Sequence, residues 1–297
     1  MKKILVAEGN IHASRELSRK IGGFSQGERY AEVLRGLASG LQVDVYDMPD
    51  TDLAPRLPLE AYDGIVLTGS ALNIYEDRPE VARQVDFARR VFQIGTPFFG
   101  SCWGLQVATV AAGGLVEMNH RGREIGFARR ICLTDSGRSH SMHAGRPSCY
   151  DAPAVHTDHV TRPAEGMIIT ATNAMSEIQA GEIRHANGVF WGVQYHPEYT
   201  LRDLTDVLVR YSETVIEDEN YFRDPADLDA YVAALRTLGA DRSRRDIAWR
   251  YAIDEDLLDD RLRNSELLNW LEVMVGAEPV TKKRQSVLFN YNLQRCP

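Results

Sequence analysis

The sequence predicts an α/β fold: a mostly parallel central sheet flanked by helices, followed by an extra helical C-terminal segment. Short apolar runs alternate with amphipathic stretches through the first 112 residues, the pattern of strand–helix–strand units. The residues that carry chemistry stand where those runs end, as they do in open parallel sheets. Beyond Tyr199 the chain turns helical and charged. The expected division is residues 1–200 as a catalytic unit and 201–297 as the helical extension.

Residues 3–7 read as a first buried strand, since Met1-Lys2-Lys3-Ile4-Leu5-Val6-Ala7-Glu8 is too brief and too soon charged for a signal peptide. Residues 9–28 are polar and contain glycine. They exceed the usual strand-to-helix connection, which predicts an insertion near the active-site edge. An amphipathic helix is expected over 30–37 and a short alternating strand over Val43-Asp44-Val45-Tyr46. A proline- and aspartate-rich loop follows over 49–58. Gly64–Leu67 is the next strand, leading into Thr68-Gly69-Ser70 and a loop to Pro79. The period over 79–93 is helical.

An apolar run from Phe87 to Phe99 then ends in Gly100-Ser101-Cys102-Trp103-Gly104, and an alanine-rich apolar segment follows from Leu105 to Ala112. This reads as strand, abrupt turn, helix. A nucleophile held in such a turn needs neighbours without bulk, so that two chain segments can pass closely. A helix N-terminus also favours negative charge on a side chain placed there. Near residue 190 an apolar strand, Gly188-Val189-Phe190-Trp191-Gly192-Val193-Gln194-Tyr195, delivers His196, with Pro197 and Glu198 next. Proline cannot continue a ladder, so the strand stops there. A nucleophilic thiol needs a base, and the base needs an orienting acceptor. Cys102, His196 and Glu198 supply those roles.

Glycines and polar turns separate short β-rich runs over 114–190, among them 128–133 and 167–171, which predicts an antiparallel extension of the sheet. Helices are expected over 201–217 and 227–238, with two more stretches within 244–275. Asp254-Glu255-Asp256 reads as a solvated helix start. Large apolar residues of this last third, including Trp249, Tyr251, Leu257, Leu258, Leu262, Leu267, Leu268, Trp270 and Leu271, must pack on the sheet, form a helical cap or make an oligomer face.

Hydrophobic content of 44% and charged content of 26% fit a soluble globular protein, and the net charge of −8 argues against a nucleic-acid surface. The one basic cluster, Lys282-Lys283-Arg284, is short and reads as a solvated tail. No apolar run reaches membrane-spanning length. The cysteines at 102, 132, 149 and 296 show no C-x-x-C pairing, which favours a reducing cytoplasm. His140-Ser141-Met142-His143, Cys149 and His156-Thr157-Asp158-His159 offer two H-x-x-H pairs around a thiol. That spacing suits zinc, but the expectation is no metal.

G-S-C-W-G-L-Q together with G-V-Q-Y-H-P-E resembles the class I (triad-type) glutamine amidotransferases, most of all the glutaminase half of GMP synthase and its stand-alone relatives. Gly64-Ile65-Val66-Leu67-Thr68-Gly69-Ser70 resembles the family's oxyanion loop. Glu124-Ile125-Gly126 and His156-Thr157-Asp158-His159-Val160 resemble segments of the GMP-synthase-like branch. The resemblance covers about residues 1–200 and implies the flavodoxin-like fold of that family. It implies Cys102 as nucleophile on a glutamine γ-carbonyl, His196 as proton shuttle and Glu198 as its holder. Backbone donors at Trp103 and at Gly69 or Ser70 would stabilise the oxyanion, although family members commonly carry Gly-Gly where this chain has Gly69-Ser70. Gln106 would lie beside the substrate, Glu124 would shape its amino-acid end, and His156 and Asp158 would organise the adjoining loop. No cofactor is implied.

No nucleotide-activating half is visible in the chain. Three readings follow: a subunit delivering ammonia to a separate synthetase, which the sequence favours; a stand-alone hydrolase of γ-glutamyl amides or peptides; and a non-catalytic binding relative.

Overall fold

Strand β1 (Lys2–Glu8) pairs in parallel on both sides, with β2 (Leu41–Asp47) and β3 (Gly64–Leu67). Ile4, Leu5, Val6 and Ala7 are all buried, because helices cover both faces of the sheet. The coordinates are a computed structural model that describes residues 1–50 and 54–280. The Lys282–Arg284 cluster, Cys296 and part of the 49–58 loop lie outside the described residues.

Between β1 and β2 the chain forms α1 (His12–Gly22) and α2 (Gln26–Leu37). The sequence reading took residues 9–28 as an insertion and did not foresee its helix α1. Gly23, at φ 88°, ends that helix, and Ser25 with Glu28 forms a reciprocal capping box that starts α2 earlier than the periodicity suggested.

After β3 come α3 (Pro79–Ile94), β4 (Phe98–Ser101) and α4 (Trp103–Ala111). The apolar run 87–99 is therefore divided between helix and strand, with Gly95 at φ 82° as the left-handed cap between them. The second half supplies β5 (Leu115–Met118), β6 (Glu124–Leu133), α5 (Asp135–Ser139), β7 (Cys149–His156), β8 (Asp158–Arg162), β9 (Ile168–Thr172), β10 (Ala180–His185) and β11 (Gly188–Val193). Among the described residues the main sheet runs β2-β1-β3-β4-β11-β10-β9-β6-β7, and β5 and β8 form a separate ribbon. Pairing is parallel from β2 to β11 and antiparallel from β11 to β7, the predicted division.

The C-terminal third comprises α6 (Leu201–Arg210), α7 (Pro225–Ala240), α8 (Arg245–Arg250), α9 (Glu255–Leu258), α10 (Asp260–Arg263) and α11 (Ser265–Trp270), which continues as a wider turn to Val275. The stretch 244–275, expected as two helical runs, is thus broken into four short helices. Ala252 at φ 50° turns the chain, and Asp259 caps the next segment through the N–H groups of Arg261 and Leu262. Asp256 is not a free solvated carboxylate, since its Oδ2 accepts from the Asp151 N–H at 2.6 Å.

These helices go to two places. Leu267, Trp270, Leu271 and Val275 join Ile4, Val66 and Phe99 in the core on one face of the sheet, whereas α3 and α4 cover the other. Residues of α6 to α9 form a separate cluster with Phe127, among them Leu204, Leu208, Leu235 and Leu257. Trp249, expected to pack, is 88% exposed. The C-terminal anchor is ionic as well as apolar: Arg146, before β7, meets Glu266 of α11 with Nε–Oε1 at 2.8 Å, both side chains buried, and its guanidinium stacks on Tyr150.

Cys132 and Cys149 face each other across β6 and β7 and are joined as a disulfide. The sequence reading had found no pairing pattern for them. The antiparallel register, which no local spacing reveals, makes them neighbours.

Candidate active site

The turn between β4 and α4 puts Cys102 in a conformation that side chains avoid, φ 53° and ψ −104°. Such strain costs on the order of 1–3 kcal/mol and persists only where the surroundings impose it. Here they do. A β-carbon on Gly104 would lie 2.5 Å from the Leu67 carbonyl oxygen, and one on Gly100 would lie 2.7 Å from the Gly104 carbonyl carbon. Both glycines are therefore required by close approach of β3, β4 and α4. The Cys102 N–H donates to Val193 O at 2.8 Å, locking the turn to the end of β11.

That same strand end delivers His196 and Glu198. Nδ1 of His196 is 2.7 Å from Oε1 of Glu198, and both side chains are buried. Glu198 Oε2 accepts from Ser101 Oγ at 3.1 Å, and Ser101 Oγ lies 2.7 Å from Tyr30 OH. The single serine hydrogen is given to the carboxylate, so Tyr30 is the donor in the second bond. Burial, reinforced by the Glu198 charge, holds the Tyr30 pKa well above normal, which keeps that donor protonated. Tyr199 stacks flat on His196, with centroids 4.2 Å apart.

Nε2 of His196 is buried without a hydrogen-bond partner, while the Cys102 thiol points to Val155 O at 3.5 Å. The thiol is not aligned on the imidazole in this state, yet it is close enough to act on its charge. Burial works against a charged imidazole. The Glu198 carboxylate and then Cys102 outweigh it, and the His196 pKa is pushed up to about 10.

Beside these groups lies a cleft lined by Gly69, Ser70, Gln106, His156 and Asp158. Gly69 follows β3, and a β-carbon there would lie 2.7 Å from His196 Cε1. Ser70 Oγ donates to Gly9 O at 2.9 Å and accepts from Leu72 N, so the serine clips the loop to the end of β1. Asn10 steadies the same loop, accepting from Ala71 N, and buried Glu8 holds Asn10 and Gly27. Trp103 opens α4, where first-turn N–H groups lack helical partners. Its indole is in the core, donating to Gln84 at 2.7 Å, so the side chain takes no part in the cleft.

Gln106 donates to Asp158 O at 3.0 Å from the wall of the cleft. His156 Nδ1 lies 3.0 Å from the same oxygen and its Nε2 lies 2.8 Å from Glu124 Oε2. Glu124 does not line the cleft, contrary to the sequence reading. It is buried behind it and also accepts from Gln179 and Asn173, so it holds His156 in place. Asp158 accepts from Tyr75 OH at 3.2 Å. The four histidines weighed for zinc are engaged separately: His140 with Glu182, His143 with Thr170 and Glu266, His156 with Glu124, and His159 with Ser176. Cys149 is in the disulfide. Among the described residues no cluster of potential metal ligands forms. Sequence reasoning missed Tyr30, Ser101, Tyr199 and the cleft residues of α6 and its end, Val207, Arg210 and Tyr211. Only Ser101 and Tyr199 stand beside the motifs.

A mostly parallel sheet with a strained cysteine where a central strand meets a helix is the architecture of an α/β enzyme of the hydrolase type. The glutamine amidotransferase class-I model matches residues 28–211. The chain is 36% identical over 277 residues to a γ-glutamyl-L-1-hydroxyisopropylamide hydrolase of a Pseudomonas species, covering 92% of this chain and 93% of that one. It is 29% identical over 234 residues to a glutamine-hydrolysing GMP synthase of an Enterobacter species, covering 76% of this chain but only 42% of the synthase. Its fold matches a Thermotoga maritima glutamine amidotransferase with a TM-score of 0.60, at 20% identity over 92% of this chain and 98% of that one. The protein belongs to the class-I glutamine amidotransferase family. Among the described residues no helix is long and apolar enough to cross a membrane.

Proposed function

We propose that this protein hydrolyses the side-chain amide of a γ-glutamyl compound as a stand-alone enzyme, through a thioester on Cys102. The carrying observation is the strained thiol beside a buried His196–Glu198 pair. With the thiol proton held on His196, the Cys102 sulfur attacks the γ-carbonyl carbon. The carbon–nitrogen bond breaks as His196 protonates the leaving amine, and water then hydrolyses the thioester to glutamate and free thiol. The N–H groups of Trp103 and of Gly69 or Ser70 carry the oxyanion. Gln106, His156 and Asp158 form the wall for the glutamyl part. Turnover needs a free thiol at Cys102, whereas the Cys132–Cys149 disulfide counts against the reducing cytoplasm expected from the sequence.

The sequence alone favoured ammonia delivery to a synthetase. Similarity to a named γ-glutamyl hydrolase along nearly the whole of both chains moves the preference to stand-alone hydrolysis. The similarity to GMP synthase supports the second reading, in which a synthetase partner receives ammonia. Steady-state kinetics of the purified protein alone decides between them, on glutamine, γ-glutamyl peptides and γ-glutamyl-L-1-hydroxyisopropylamide. Full activity with preference for a substituted amide is expected. Feeble activity on all of them that rises only when a synthetase is added would establish the second reading.

A further inference from the structure

The cleft beside Cys102 continues into a groove between α1 and α6, and Gln26, Tyr199, Val207 and Arg210 line both parts. The groove's other apolar wall is Ile21 and Phe24. The direction a substrate takes through this space follows from proton transfer. The departing nitrogen must sit against His196, since that ring protonates it. Tyr199 is stacked on His196 and extends into the groove, so a substituent on that nitrogen runs along Tyr199 towards α6. The glutamyl part then lies on the other side of Cys102, towards Gln106 and His156.

Arg210 stands on that exit path. Its guanidinium lies beside the Tyr211 ring, 5.7 Å from the centroid, with Ser18 Oγ of α1 at 3.4 Å, and its charge acts on Tyr199. Every other arginine of the two spaces is neutralised: Arg123 by Glu219, and Arg29 by Asp203 and Glu32. The groove's carboxylates are also committed, Asp203 to Arg29 and Asp206 to Arg236. Among the described residues Arg210 has no acidic partner. A cation held where the cleft meets the groove, without a counter-charge, is a receptor for an anion that arrives with the ligand.

We propose that Arg210 binds a carboxylate on the leaving amine, so that the substrates are γ-glutamyl α-amino acids whose apolar side chains lie against Ile21, Phe24 and Val207. This rests on the γ-glutamyl hydrolase reading. The test compares γ-glutamylleucine with γ-glutamylleucinamide, which differ in that one charge, in the wild type, Arg210→Gln and Arg210→Lys. The quantity read is the ratio of the two kcat/KM values within each preparation, which does not depend on the fraction of folded enzyme. The wild-type ratio should favour the carboxylate by about tenfold or more, collapse towards unity in Arg210→Gln and stay intermediate in Arg210→Lys. A wild type without carboxylate preference overturns the inference and leaves the hydrolase reading standing. So does an unchanged ratio in Arg210→Gln, which would place the arginine on the glutamyl end shared by both compounds. Failure of the wild type to cleave any γ-glutamyl compound removes the hydrolase reading and this inference with it.

Discussion

A β-carbon added to Gly69 would lie 2.7 Å from Cε1 of His196, so the loop after β3 and the imidazole are in direct contact. Glycine stands at this position to let the ring sit where it does. Gly69→Ala should displace the ring relative to Cys102 and lower kcat by about a hundredfold, the cost of a displacement near 1 Å. Thermal unfolding should change little, because the loop borders the cleft. A fall in Tm large enough to account for the lost activity would show that Gly69 serves the fold instead.

Cys102→Ser should abolish turnover while the circular dichroism spectrum is kept, and a glutamine-like electrophile should add mass at Cys102 only. Cys132 and Cys149 offer no competing thiol while they remain joined. Peptide mapping that finds the label elsewhere would sink the assignment.

The His196 pKa, pushed up to about 10 chiefly by Glu198 against the effect of burial, predicts a protonated ring at neutral pH. A folded-state pKa above the unfolded one means stabilisation that is complete below the ordinary histidine range and is lost as pH rises through about 10. Glu198→Gln removes the carboxylate charge. The alkaline limb of kcat/KM should then move down by at least about one pH unit, and stability should no longer fall in that window. His196→Ala should cost far more activity than Glu198→Gln, because it deletes the leaving-group acid itself. An unmoved alkaline limb in Glu198→Gln would show that another group titrates there.

Burial alone would raise the Glu266 pKa, but Arg146 and then His143 hold it down at about 2. Its folded pKa is depressed, so this stabilisation is present above the ordinary glutamate range and is lost as pH falls towards 2. Glu266→Gln leaves the Arg146 charge buried and unpaired, and should cost about 3–5 kcal/mol in urea unfolding. Ending the chain before residue 265 should be worse. It uncovers the sheet face at Ile4, Val66 and Phe99 and should give insoluble protein. A soluble, active truncation would show that the sheet folds without α11 covering that face.

Cys102, His196 and Glu198 were legible in the sequence because their placement is local. Glycines at 100 and 104 mark a turn with no room for a side chain at either of those two positions. Apolar runs ending at residues 99 and 195 mark strand ends, and Pro197 marks where the second strand must stop. The parallel-then-antiparallel sheet was legible for the same reason, since it follows from run length and turn chemistry along the chain. What the sequence could not carry were pairings between residues far apart. Glu124 looked like a substrate ligand from its motif, and only the register of β6 against β7 puts it behind His156 as its support. The same register joins Cys132 to Cys149. Tyr30 reaches Ser101 across 71 residues, and Arg210 reaches the cleft only because α6 packs beside α1. Local spacing determines where a strand ends and what stands there. Which distant side chain meets it is decided by strand register and helix packing, which exist only once the whole core has formed.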